Sequence, residues 1–139
     1  MPVNKTLILA LMGLVLILTL AGVYVAHESY KTTITYEVLG GNEVNGTYVL
    51  YVKEIVNYGP FGGQQPLANA PVWLYSGTAE SHTFYAINWT NGSGVAVFHV
   101  RPGTYYVLFN TFKIGYQVNV NGNTLVVLNV AYLDKRFAP

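Results

Sequence analysis

The chain contains no cysteine. Disulfides, thiolate catalysis and cysteine-based zinc or iron–sulfur centres are therefore excluded, while the compartment stays open, because an exported protein need not use disulfides. Charge is scarce as well. Asp, Glu, Lys and Arg make up 9% of the residues, against about 25% in an average soluble protein. The net charge of +1 supplies no field to gather nucleic acid or acidic substrates. Asp134 is the only aspartate, and the three histidines, His27, His82 and His99, stand at no metal-binding spacing. No Ser/His/Asp set has a recognisable context and no glycine-rich phosphate loop follows a strand. The expectation is a protein that is not an enzyme and holds no metal or cofactor.

What the chain does have is one long apolar run. Leu7 to Ala26 carries no charge, and about 20 apolar residues is the length that spans a bilayer as a helix. Lys5 and the terminal amine precede it, and His27, Glu28 and Lys31 follow, so the positive-inside tendency favours an internal N-terminus and an exported remainder. A cleaved signal peptide is the competing reading, but Thr19 and Ala21 offer a poor cleavage site and the run exceeds a usual signal core. A retained anchor or filament-core helix is expected, with Ala10, Gly13, Ala21 and Gly22 as small residues that allow close helix packing.

From Tyr30 onward the period changes to that of strands. Thr32–Leu39 and Thr47–Val56 alternate, separated by a turn at Gly40–Gly46. Asn57–Pro71 reads as a long loop. Strands are expected at Val72–Ser76, His82–Trp89, Val95–Val100 and Tyr105–Phe109, with Tyr105, Val107 and Phe109 pointing into the core and Tyr106 and Leu108 away from it. Thr90–Gly94 reads as a turn, and Pro102-Gly103 suits the centre of a type II turn. Asn121-Gly122 between two alternating runs is a hairpin signal. No second helix, repeat or further domain is evident. The chain thus divides into a hydrophobic helix over 1–29 and an all-β sandwich of about seven or eight strands over 30–139.

Pro66–Tyr75 ("PLANAPVWLY") and Thr90–Val107 ("TNGSGVAVFHVRPGTYYV"), with the spacing between them, resemble carboxypeptidase regulatory-like and transthyretin-like domains, and equally the collagen-adhesin B-type repeats of surface proteins. The resemblance covers residues 49–132 and implies an immunoglobulin-like sandwich. In the adhesin repeats a buried Lys attacks an Asn amide, promoted by a buried acid, and an internal isopeptide bond forms. Lys53 in "YVKEI" matches the family's Lys and Asn129 in "VLNVAY" its Asn, but the acid's position falls on Phe109. Glu54 neighbours Lys53 and should face the other side of a strand. No isopeptide bond is expected.

Tyrosine is in excess, with 12 in the chain, and exposed Tyr75, Tyr85 or Trp89 would suit sugar stacking or protein contacts. Asn45, Asn88 and Asn91 head Asn-x-Ser/Thr triplets in the exported part and are candidate glycan acceptors, whereas Asn4 should be internal and unmodified. A hydrophobic helix feeding straight into a β-sandwich resembles the layout of archaeal type IV pilins, although the Lys5-Thr6 before Leu7 matches that family's processing signal poorly. The resemblance implies a cell-surface structural subunit that self-associates through its N-terminal helices and its sandwich, meets the membrane at least transiently and binds no nucleic acid. The alternatives are a single-pass accessory subunit of a larger membrane complex and a carbohydrate-binding adhesin module.

Overall fold

The computed structural model describes residues 4–29, 31–59 and 61–132; Met1, Tyr30 and Asp134 lie outside them. Helix α1 (Lys5–Ser29) starts where Asn4 caps it. The Asn4 Oδ1 accepts the Thr6 N–H at 2.9 Å, satisfying one of the first-turn donors that has no helical partner. Thr19, the polar residue inside the apolar run, turns its hydroxyl onto the Val15 carbonyl at 2.8 Å, so it exposes no unpaired group.

Among the described residues nine strands follow in two sheets, one more than the upper expectation. The first sheet contains β1 (Thr33–Gly40), β2 (Tyr48–Asn57), β3 (Gln64–Pro66), β6 (Val95–Val100) and β9 (Asn123–Ala131). Its order is β1-β9-β2, with β6 and β3 sharing the far edge of β2. The second sheet contains β4 (Pro71–Gly77), β5 (His82–Trp89), β7 (Gly103–Phe109) and β8 (Ile114–Val120), in the order β5-β4-β7-β8. All pairings are antiparallel except β2 with β9. The core lies between the sheets. Leu50 and Val52 of β2, Phe98 of β6 and Val126 and Leu128 of β9 meet Val72 and Leu74 of β4, Val107 and Phe109 of β7 and Val120 of β8. Alternation thus produces a two-layer sandwich. On β7 the expected facing holds: Tyr105, Val107 and Phe109 are buried, and Tyr106 and Leu108 are half-buried on the outer side.

Three local expectations are corrected. The supposed loop Asn57–Pro71 contributes the short edge strand β3. Pro102-Gly103 makes no type II turn: Gly103 has φ 157° and is already the first residue of β7, level with Val120. Asn121-Gly122 is not a hairpin. It carries the chain from β8 in one sheet to β9 in the other, and neither residue takes the positive φ that a type I′ turn requires. That turn forms instead at Asn45-Gly46, with φ of 55° and 79°, closed by reciprocal Val44–Thr47 backbone bonds of 3.0 and 3.1 Å.

Candidate functional site

Of the three positions matched to isopeptide chemistry, for which no bond is expected, Lys53 and Asn129 lie in the first sheet and Phe109 in the second. In the parallel β2–β9 ladder Lys53 is level with Val127 and Ile55 with Asn129. Lys53 and Asn129 therefore share the outer face as diagonal neighbours, both half-buried, and no hydrogen bond joins them. The family's lysine is buried, whereas Lys53 at the matching position is half-buried on the outer face. Leu50, Val52, Glu54 and Val56 form the inward set. Glu54 is completely buried, while Lys53 lines a shallow outer depression with Gln64, Gln65, Pro66, Gly92 and Ser93. Phe109, at the family's acid position, is likewise completely buried among apolar side chains.

Glu54 is the main electrostatic anomaly. Both carboxyl oxygens are buried without a hydrogen-bond partner among the described residues. Burial, which penalises the charged form, pushes the carboxyl from its ordinary value of 4.5 up to about 7. The backbone around it is tightly held. Glu54 N–H donates to the Gly94 carbonyl at 2.8 Å and the Glu54 carbonyl accepts from Leu67 N–H at 3.0 Å. Buried Thr90 locks the same end of the sandwich, donating to the Leu67 carbonyl at 2.6 Å and accepting from Ala70 N–H at 2.9 Å. A neutral acid here can hold a proton, but the ammonium and the amide that isopeptide chemistry would bring to it lie on the opposite face of the sheet. The side-chain Oδ1 of Asn129 is itself buried and unpartnered among the described residues.

The outer face of the second sheet carries a feature that composition alone did not disclose. Trp73, Tyr75, His82, Phe84 and Tyr106 form a run of touching rings. Centroids are 5.9 Å apart for Trp73–Phe84 and Tyr75–Phe84, and 4.7 Å for Tyr75–His82 and for the stacked His82–Tyr106 pair. Tyr106 in turn lies against Gly115, whose missing side chain makes the room. No strand of this sheet contains Asp, Glu, Lys or Arg. The signal was present in the sequence as outward-parity aromatics on neighbouring strands, but it needed the strand order to be assembled. Of the three residues expected for sugar stacking, Tyr75 belongs to this cluster. Tyr85 packs instead edge-on to Tyr105, at 5.7 Å, and Trp89 stands 54% exposed at the end of β5.

The remaining candidates are scattered. Asn45 sits at the tip of the type I′ turn, exposed. Asn91 uses its oxygen on the Ser93 and Val95 N–H groups at 2.9 and 3.1 Å, and its amide nitrogen makes no bond among the described residues. Asn88 is different. Its Nδ2 donates to the Val97 carbonyl at 2.9 Å, tying β5 to β6 across the two sheets. His82 and His99 are far apart in register on different sheets, and the described residues contain no group of three metal-ligating side chains. On α1, Ala10 and Gly13 lie on an exposed helix, and the side chains of Ala21, Gly22 and His27 lie outside the described set. Among the described residues, whose side chains in α1 end at Leu20, no helix is long and apolar enough to cross a membrane. The apolar run of the sequence continues to Ala26.

No family model matches this chain, and no curated protein matches it.

Proposed function

We propose that the chain is a non-enzymatic structural subunit of a cell-surface assembly, pilin-like in layout, in which α1 is the anchoring and assembling element and an immunoglobulin-like sandwich forms the exterior. One observation carries this reading: from Leu7 to Leu20, α1 is apolar all round. Every large apolar side chain from Leu7 to Leu20 is at least 41% exposed in the single chain. A helix without a polar face requires lipid or other helices around it, and at 1.5 Å per residue the uncharged run Leu7–Ala26 would extend about 30 Å as a helix, the thickness of a bilayer's hydrocarbon core. The same property serves a bilayer before assembly and a helical core after it. Electron microscopy of material sheared from cells making the full chain tests the proposal. Filaments containing the chain are expected; a protein that stays monomeric in the membrane under all conditions defeats it.

The aromatic face of the second sheet favours one second reading, a module that binds neutral saccharides. Rings offer stacking surfaces for sugar C–H groups, and the absence of charge suits an uncharged ligand. A glycan array probed with the detergent-solubilised full chain decides it, because a blank array retires the reading.

A further inference from the structure

A sandwich exposes strand edges, and natural proteins blunt theirs with short strands, Pro, Lys, bulges or covering groups. Three edges of this one are treated so. β3 is three residues long and ends in Pro66. β5 is irregular, its register shifting opposite Leu74 and Tyr75. The carbonyls of β6 at Val97 and His99 are taken up by Asn88 and Tyr85 at 2.9 and 3.4 Å. On the opposite side β8 has no such treatment, and on β1 it is confined to the end of the strand, where the register shifts between Val38 and Gly40. Among the described residues each pairs with one strand only, β8 without a register shift and β1 regular from Thr33 to Val38. Neither contains Pro, Lys or Arg, and Glu37 is their only charge.

The seam between them is also open. Tyr36 and Val38 point to the inner side of the first sheet, level with Val126 and Thr124, which are 0% exposed, yet each remains 57% exposed. The Tyr116 phenol of β8 is raised first by burial and next by the charge of Tyr36 across the seam. No side-chain hydrogen bond crosses from β1 to β8 among the described residues.

We propose that β1 of one copy pairs edge to edge with β8 of the next, joining the first sheet of one sandwich to the second sheet of its neighbour. The inference rests on the assembly reading above and names the contact between its exteriors. The occupant is a second copy because the chain carries two different free edges. Edge addition satisfies the backbone groups of both, the uncharged β8 opposes no like charge to Glu37, and α1 runs almost directly into β1, so helices that associate bring β1 strands beside neighbouring sandwiches. A contact between unlike surfaces repeats from copy to copy, and extends into an open array wherever the rotation between copies does not close a ring.

The absence of cysteine makes the test clean. Thr35→Cys and Asn119→Cys, both at exposed positions, are placed in the full chain singly and together, and the assembled material is treated with a short thiol–thiol cross-linker. The doubly substituted chain should give a covalent ladder, a mixture of the two single variants should stop at a dimer, and each single variant alone should stay uncross-linked. Amide exchange on the unsubstituted chain is the second measurement: β1 and β8 should exchange more slowly in the assembly than in detergent-dispersed chain. Filaments that form without a ladder and without that protection overturn the inference and leave the assembly reading standing. T35C alone yielding dimers as readily as the mixture overturns it in favour of a symmetric β1–β1 contact. An unsubstituted chain that never assembles overturns both.

Discussion

Glu54 should make the sandwich lose stability as pH rises. In the unfolded chain its carboxyl titrates at its ordinary 4.5, and in the fold at about 7. Between those values the folded state holds a proton that the unfolded state has released, so unfolding becomes easier with each step upward in pH. The contribution is fully present below 4.5, declines through the interval and is gone above about 7. At about 1.4 kcal/mol per pH unit, the interval corresponds to about 3 kcal/mol, a large share of a small domain's usual stability. Denaturant titrations of the full chain in detergent, from about pH 4 to about pH 8, measure it. Glu54→Gln keeps the shape and removes the titration, so its profile should be flatter by that amount and it should exceed the unsubstituted chain above neutrality. A profile that rises with pH, or an unchanged slope in E54Q, refutes the reasoning, since both require the buried carboxyl to be charged or elsewhere partnered.

Intact-protein mass spectrometry should give the mass of the uncross-linked chain, because Glu54 and the Lys53–Asn129 pair occupy opposite faces; a deficit of one ammonia would contradict this. Gly115→Ala should destabilise by about 1–3 kcal/mol, the usual range for overpacking, because the new methyl meets the Tyr106 ring. In a Tyr106→Ala background most of that cost should vanish, and strict additivity in the double-mutant cycle would sink the explanation. Peptide mapping of protein from a glycosylating host should find glycans on Asn45 and Asn91 and none on Asn88. Asn88→Ala should cost about 0.5–1.5 kcal/mol by removing its bond to the Val97 carbonyl, and a glycan at Asn88 would disprove the inter-sheet bond.

The alternation of β4, β6 and β7 left little freedom, and those strands lie where the sequence places them. β2 was ambiguous for a physical reason. Its two faces, Leu50/Val52/Glu54/Val56 and Val49/Tyr51/Lys53/Ile55, each carry three large apolar or aromatic side chains and one charge, so parity could not say which charge goes in. The outcome follows from ionisation. Neutralising a carboxylate near pH 7 starts from about 4.3 and neutralising an ammonium from about 10.4, and a lysine stem can also carry its charge back out to water. Two of the three Asn-Gly pairs make a related point: the same dipeptide forms the I′ turn at Asn45-Gly46 and crosses between sheets at Asn121-Gly122, because tertiary placement of β9 decided where the latter pair had to lead. The aromatic face and the open seam depend on strand order, which no local pattern encodes.

The placement of β9 between β1 and β2 reaches beyond stability. Thr33 finds its partner in Asn129, so the first strand to emerge waits unpaired until the last has been made and delivered. For a chain whose leading helix is held in a membrane or an assembly, closure of the sandwich is a late event, and until then β1 is available to any strand that reaches it. Completion of β9 therefore acts as a timing step: it fixes one side of β1 permanently and leaves only the other for neighbours. The same ladder sits beside the point where α1 enters the fold, so tension transmitted along an anchored or filamentous array would be borne first by the β1–β9 pairing, the seam that ties the start of the sandwich to its end.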